Sequence, residues 1–503
     1  MLGALGFIAY SVYSDVIGSG ARATAVAPFV MLGIALLVAL AFEFVNGFHD
    51  TANAVATVIY TNSMPAQTAV VWSGIFNLLG VLTSSGAVAF GIIALLPVEL
   101  ILQVGSNTGF AMVFALLIGA ILWNVGTWYL GLPASSSHTL IGSIIGVGLA
   151  NQIIAAKTGA ASGVDWVQAE KVGYSLLLSP LIGFGAAALL LLVLKVVARG
   201  PTLYQGPEGG TPPPRWIRAT LIMTCTAVSF AHGSNDGQKG MGLIMLILIG
   251  VVPTAYALNR AMPDTAVPSF LRTSAYAAQM LENGATDHSS GDPRPVIRAY
   301  VQTHRLQTSV APALAELTRE ISGYVEQHGS LRLLPADAVQ NVRNDMYLAS
   351  ETIRLLNREP ALKFAKADAD LLSLYKRELD AATKFLPVWV KVAVAIALGL
   401  GTMVGWKRIV ITVGEKIGKS HLTYAQGASA EVVAASTIAA ADAFGLPVST
   451  TQVLSSGVAG TMAADGSGLQ MRTVRNMLLA WVLTLPMAIL LSGTLYILFV
   501  SFL

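Results

Sequence analysis

Runs of about twenty apolar residues recur along this 503-residue chain, and about twenty is what an α-helix needs to cross a hydrocarbon core. A chain written this way is restricted to structures that satisfy their backbone groups inside lipid. With 54% hydrophobic and 11% charged residues, against about a quarter charged in ordinary soluble domains, it is not a soluble globule. A net charge of +3 on so long a chain gives no reason to expect nucleic acid. The lone Cys225 excludes an internal disulfide framework. The first twenty residues carry Asp15 and no basic residue, unlike a cleavable signal peptide. The expectation is an integral, multi-pass membrane protein whose constant partner is the lipid bilayer.

Candidate spans are Pro28–Asn46, Ala69–Leu95, Phe110–Leu130, Ser175–Val197, Ile217–Phe230, Gly242–Leu258, Pro387–Trp406 and Leu478–Val500. Shorter tracts at Leu132–Ala150, Glu431–Phe444 and Leu446–Ala464, and a segment within residues 1–20, raise the total to about 10–12 transmembrane or re-entrant helices. Lys195, Arg199, Arg215 and Arg218 flank a Gly/Pro-rich connector, read as a cytoplasmic linker. Lys407, Arg408, Lys416 and Lys419 form a second basic loop. Three apolar stretches lie between, which sets the loops on opposite sides unless one re-enters. Residues 259–385 hold 30 of the chain's 57 charges. In this stretch Val339, Val342, Met346, Ala349, Ile353 and Leu356 repeat at helical steps, as do Leu371, Leu374, Tyr375 and Leu379. The expected organisation is a first membrane repeat (1–200), a linker (201–214), a second repeat split into 215–258 and 386–503, and a soluble helical insert (259–385).

Two polar motifs occur twice, in the same order. Asn46-Gly47-Phe48-His49-Asp50-Thr51-Ala52-Asn53 overlays His232-Gly233-Ser234-Asn235-Asp236-Gly237-Gln238-Lys239. Gly131-Leu132-Pro133-Ala134-Ser135-Ser136-Ser137-His138 overlays Gly445-Leu446-Pro447-Val448-Ser449-Thr450-Thr451-Gln452. The motifs lie 86 residues apart in the first half and 214 in the second, and the difference is about the length of the charged insert. Polar, helix-breaking tracts at matching positions of two halves mark a transporter's binding site. The fold class is therefore all-α, with two homologous halves read as inverted.

A charge in mid-bilayer costs about 2.5 kcal/mol or more, so Asp50 and Asp236 should face a cavity or a partner. Each offers oxygens to a metal or carries a proton. Asn53 adds an amide, Asn235 and His49 further polar groups, and Lys239 a fixed positive charge that could neutralise Asp236. Polar turns at the membrane surface are the plainer reading, and duplication weighs against it. Pro followed by Ser/Thr is an N-terminal helix signal, and helix N-termini attract anions. Ser135, Ser136, Ser137, Ser449, Thr450 and Thr451 offer six hydroxyls to a releasable oxyanion; simple capping is the alternative. His49, His138 (matched by Gln452) and His232 could titrate. Glu43 and Asp442 are further intramembrane acids. No phosphate-binding nucleotide loop, zinc spacing or nucleophile elbow occurs, so the chain does not read as an enzyme, and no covalently bound cofactor is expected.

On these residues the sequence resembles the inorganic phosphate transporter (Pit) family, most closely its bacterial low-affinity members. Gly47–Ala56 and Gly233–Gly240 look like its duplicated signatures, and Leu132–Gly142 and Leu446–Gly460 like its hairpin tracts. The resemblance implies phosphate import across a bacterial inner (plasma) membrane, driven by protons, as a complex with a divalent cation such as Mg2+. The Ser/Thr tracts would hold phosphate, and the Asp50 and Asp236 motifs the coupling cation or metal. Bacterial members commonly carry His where this chain has Gln452, so a proton relay there would be altered. A sodium-coupled symporter, a sulfate permease, a passive anion channel and a phosphate sensor are the competing readings. A homodimer is among the assemblies the sequence leaves open.

Overall fold

The computed structural model describes residues 2–19, 27–50, 52–97, 101, 105–156, 163–207, 210–283, 291–359 and 364–502, and no β-strand occurs among them. The membrane part begins with α1 (Leu2–Gly18), α2 (Ala27–Asp50), α3 (Ala52–Tyr60), α4 (Ala66–Thr83), α5 (Ala87–Ile93), α6 (Asn107–Tyr129), α7 (Ser136–Ala156), α8 (Trp166–Val197) and α9 (Arg215–Val251). A helical cluster follows: α10 (Val267–Asn283), α11 (Arg294–Thr303), α12 (Val310–His328), α13 (Ala336–Leu356) and α14 (Lys366–Thr383). The chain then returns as α15 (Val388–Thr402), α16 (Lys407–Glu415), α17 (Tyr424–Ala443), α18 (Thr450–Asp465) and α19 (Met471–Phe502).

The 32 residues of α8, at about 1.5 Å of rise each, run the depth of the bundle. Beside its start, Asp165 pairs with Arg354 of α13 at 2.6 Å. Near its far end, Lys195 pairs with Asp465. These contacts mark an insert end and a basic end.

The strongest departure from the sequence reading is α9. Two spans, Ile217–Phe230 and Gly242–Leu258, were expected; a single 37-residue helix runs through the polar motif between them. A helix satisfies its own backbone, and the polar side chains from His232 to Lys239 are all buried against neighbouring helices. The polar tract therefore turns inward instead of breaking the chain. With the two expected spans merged into α9, the two basic loops come to one end of the bundle: Gly206 of the linker lies against His421, two residues past Lys419. Ala69–Leu95 is also not one span, because α4 ends at Thr83 and α5 starts at Ala87 after Gly86 with φ of 90°. Six helices among the described residues are long and apolar enough to cross a membrane, counting α2 and α3 as one; α9, α17 and α18 are not among them.

Close helix crossings recur with the halves exchanged. A Cβ on Gly47 would run into Leu398 O of α15, and one on Gly233 into Asn77 O of α4. Likewise Gly146 of α7 abuts Ile489 O of α19, and Gly460 of α18 abuts Phe184 O of α8. Helices α7 and α18 run in opposite directions. Asn151, late in α7, accepts from Tyr496 OH near the end of α19, whereas α18 finishes at Asp465 in the basic end.

In the charged segment, the α13 stripe from Val339 to Leu356 is buried as its spacing predicts. The α14 stripe is rotated: Leu372, Tyr375 and Leu379 are buried, whereas Leu374 is exposed. Helix α14 joins α15 with a 73° bend.

Candidate functional site

The site is built from two helix beginnings and two helix middles. Gly131 (φ 66°) and Gly445 (φ 64°) each open a turn into an extended lead-in. The lead-ins are anchored on carbonyls: Trp481 Nε1 donates to Pro133 O at 2.8 Å, and Ser175 Oγ to Pro447 O at 2.9 Å. The prolines were read as first-turn residues; they lie instead in these lead-ins, before helices that begin at Ser136 and Thr450. Ser135 and Ser449 are caps, accepting from His138 N at 3.1 Å and Gln452 N at 3.2 Å. For these two hydroxyls, capping is their visible work.

The others face the acids. Asp50 Oδ2 accepts from Ser136 Oγ at 2.6 Å, and Oδ1 from Thr451 Oγ1 at 2.5 Å. One carboxylate thus joins a helix N-terminus from each half. Ser137 Oγ donates to Val448 O at 2.7 Å and accepts from Lys239 Nζ at 2.5 Å. The Thr450 hydroxyl is buried without a hydrogen-bond partner.

On α9, Lys239 Nζ lies 2.6 Å from Asp236 Oδ1. His232 stands between the acids, with Nε2 3.5 Å from Asp236 and 3.8 Å from Asp50, while its Nδ1 meets Asn77 Oδ1 at 2.8 Å. Asp50, His232 and Asp236 present ligand atoms within 4.8 Å of one another and could hold one metal ion. Every side chain in this group is buried.

Not every residue singled out from the sequence joins it. Asn235 braces the second lead-in, donating to Leu446 O at 3.1 Å. His49 touches Asp50 at 3.3 Å through Nδ1, and its Nε2 meets Thr127 at 3.1 Å. His138 turns its Nδ1 back onto Ser135 at 2.8 Å. Gln452 is buried beside its cap. The side chain of Asn53 lies outside the described residues. Asp442 is not a free acid, since Ser234 Oγ and Gln238 Nε2 donate to it at 2.7 Å and 2.5 Å.

Sequence reasoning named His232 only as a titratable group and gave Glu431 no role. His232 aligns with the neutral Asn46, so the duplication hid its place between two acids. Glu431, buried on α17, accepts from Thr57 and Thr224; a lone acid in an Ala-rich helix was its only signal.

Residues 46–492 match the model of the phosphate transporter family. The chain is 43% identical over 493 residues to the low-affinity inorganic phosphate transporter PitA of Escherichia coli K12, covering 94% of this chain and 98% of that protein. It is 41% identical to PitB of the same strain, covering 93% and 97%. Among solved structures, one described as the sodium-dependent phosphate transporter matches at 18% identity with a TM-score of 0.52, covering 94% of this chain and 100% of that one. At that identity the likeness speaks for the fold, and the curated relatives speak for the family. The chain belongs to the phosphate transporter family.

Proposed function

We propose that this phosphate transporter is a proton-driven symporter that imports inorganic phosphate as a complex with a divalent cation such as Mg2+, across a bacterial inner membrane. One observation carries the reading: Ser136 and Thr451, from opposite halves, both donate to Asp50. The hydroxyls and helix N-termini suited to a phosphate oxyanion are thus engaged by an acid of the chain.

Phosphate and the Asp50 carboxylate compete for the same donors, and their charges repel. At about 4 Å, with an effective dielectric near 20, two unit charges interact by roughly 4 kcal/mol. A proton or metal ion on Asp50 removes that repulsion and frees the hydroxyls. Cation and anion then bind well only together, which is the thermodynamic requirement of symport. His232 and Asp236 supply further ligands, and Lys239 limits the negative charge around the metal. Phosphate sits in this proposal between the N-termini of α7 and α18. The exchanged contacts of the two halves support inverted repeats rocking around it.

The test is radiolabelled phosphate uptake into proteoliposomes, with pH and sodium gradients imposed separately and Mg2+ present or withheld. Uptake driven by inward protons and requiring Mg2+ is expected. Uptake driven by sodium alone overturns the coupling, and transport of sulfate in preference to phosphate overturns the substrate.

A further inference from the structure

At the basic end, a positively charged mouth opens into an apolar groove on the outside of the bundle. The mouth is a cavity of about 340 Å³, lined by Arg408 of α16, Lys416 just past it, and Thr473 and Asn476 near the start of α19. The groove, about 460 Å³, lies between α6 and α19 and is walled by Trp123, Gly126, Leu479 and Leu483. Leu130, Leu132 and Asn476 line both, so one runs into the other. Leu130, Leu479 and Leu483 are exposed along it, which in a membrane protein means that they meet lipid.

The two parts ask for opposite chemistries. No acid lines either of them, and Glu415, the sole acid of α16, accepts instead from Tyr60 OH at 2.8 Å. Arg408 is held in place: its Nη1 donates to Tyr129 O at 2.7 Å. Its guanidinium lies 4.9 Å from the centre of the Tyr129 ring and 5.4 Å from that of Trp128, contacts that fix a cation without neutralising it. Arg472 and Arg475, at the start of α19, add positive charge at the same end. A free phosphate ion suits the mouth but makes no use of the groove. A neutral acyl chain suits the groove but gains nothing from the cations. An anionic glycerophospholipid carries both parts in one molecule. The level in the membrane fits as well. Basic loops mark the cytoplasmic side, and basic pockets between helices on that side take anionic headgroups.

We propose that this recess binds an anionic phospholipid of the cytoplasmic leaflet, with the lipid phosphate between Arg408 and Lys416 and one acyl chain between α6 and α19. The headgroup then rests against the turn that opens the first lead-in, where Thr412 Oγ1 donates to Gly131 O at 2.9 Å. The test is native mass spectrometry of the purified full chain in detergent, with phosphatidylglycerol or phosphatidylcholine of identical acyl chains. Two cations at the headgroup correspond to a preference for phosphatidylglycerol of roughly tenfold or more. Lys416→Gln should weaken phosphatidylglycerol binding about fivefold and leave phosphatidylcholine unchanged. Gly126→Leu should lose the adduct with either lipid, because a Cβ there meets nothing within 4 Å and leucine fills the groove without strain. Equal binding of the two lipids overturns the proposal, as does phosphatidylglycerol binding that is unchanged in either variant. Excess inorganic phosphate should leave the phosphatidylglycerol adduct in place; its displacement overturns the lipid assignment in favour of a site for free phosphate.

Discussion

Lys239 Nζ stands 2.6 Å from Asp236 Oδ1, one turn back on the same helix, and reaches across to Ser137 Oγ on α7 at 2.5 Å. This buried ammonium ties the second acid motif to the first hydroxyl tract, a link between the halves that neither motif announces alone.

Replacing it exposes that dependence. Lys239→Met leaves Asp236 buried without its counter-charge, which typically costs about 3–5 kcal/mol. The expected outcome is a clear loss of thermal stability in detergent, partly recovered in the double variant Lys239→Met/Asp236→Asn. Equal stability of Lys239→Met and the unmodified protein contradicts the pairing.

The hydroxyl pair predicts a graded effect on phosphate. Hydrogen bonds to charged groups contribute about 1.5–3 kcal/mol, so Ser136→Ala and Thr451→Ala should each weaken apparent phosphate affinity by roughly tenfold or more. Ser449→Ala removes a cap instead, and its expected effect is on stability, about 1 kcal/mol. Uptake kinetics beside thermal melts separate the two roles.

The duplication was legible because polar side chains amid apolar sequence are rare enough to align by eye. What the sequence hid is the backbone around them. Gly233, Gly237, Gly240 and Gly242 made α9 look broken, yet there glycine serves close approach: Gly233 to α4, Gly237 to Val81, Gly240 to Glu43 and Gly242 to Ala89. Composition gives no means of telling a helix that ends from one that presses against its neighbours. The six hydroxyls looked alike for a similar reason, since capping and ligand binding draw on the same residue types. Only the start of each helix, at Ser136 and Thr450, separates Ser135 and Ser449 from the rest.

The crossings give a prediction of their own. Gly47→Ala and Gly233→Ala each place a methyl on a neighbouring helix backbone, where it can be relieved only by moving the helices apart. Both should lower the yield of folded protein. Gly33→Ala on α2, with nothing within 4 Å, should leave it unchanged. Fluorescence-detected size exclusion of tagged variants reads the difference.

In the charged cluster, pH reports on Asp380. Burial alone would raise its carboxyl, but Lys384 and Lys376, with a hydrogen bond from Ser350, together hold it below the usual carboxylate range. A lowered folded value contributes stability that is present above the ordinary aspartate value of about 3.9 and is lost as pH falls below it. Limited proteolysis of the full chain should therefore cut the cluster faster as pH drops below about 4, and Asp380→Asn should blunt that change.

The central claim is that a cation on Asp50 frees Ser136 and Thr451 for phosphate. Its most direct test is calorimetric titration of phosphate into the purified protein and into Asp50→Asn, with and without Mg2+ at one fixed pH. The account predicts that Mg2+ tightens phosphate binding to the unmodified protein, and that Asp50→Asn binds phosphate with no such dependence. An Asp50→Asn protein whose phosphate affinity still rises with Mg2+ as in the parent would contradict it.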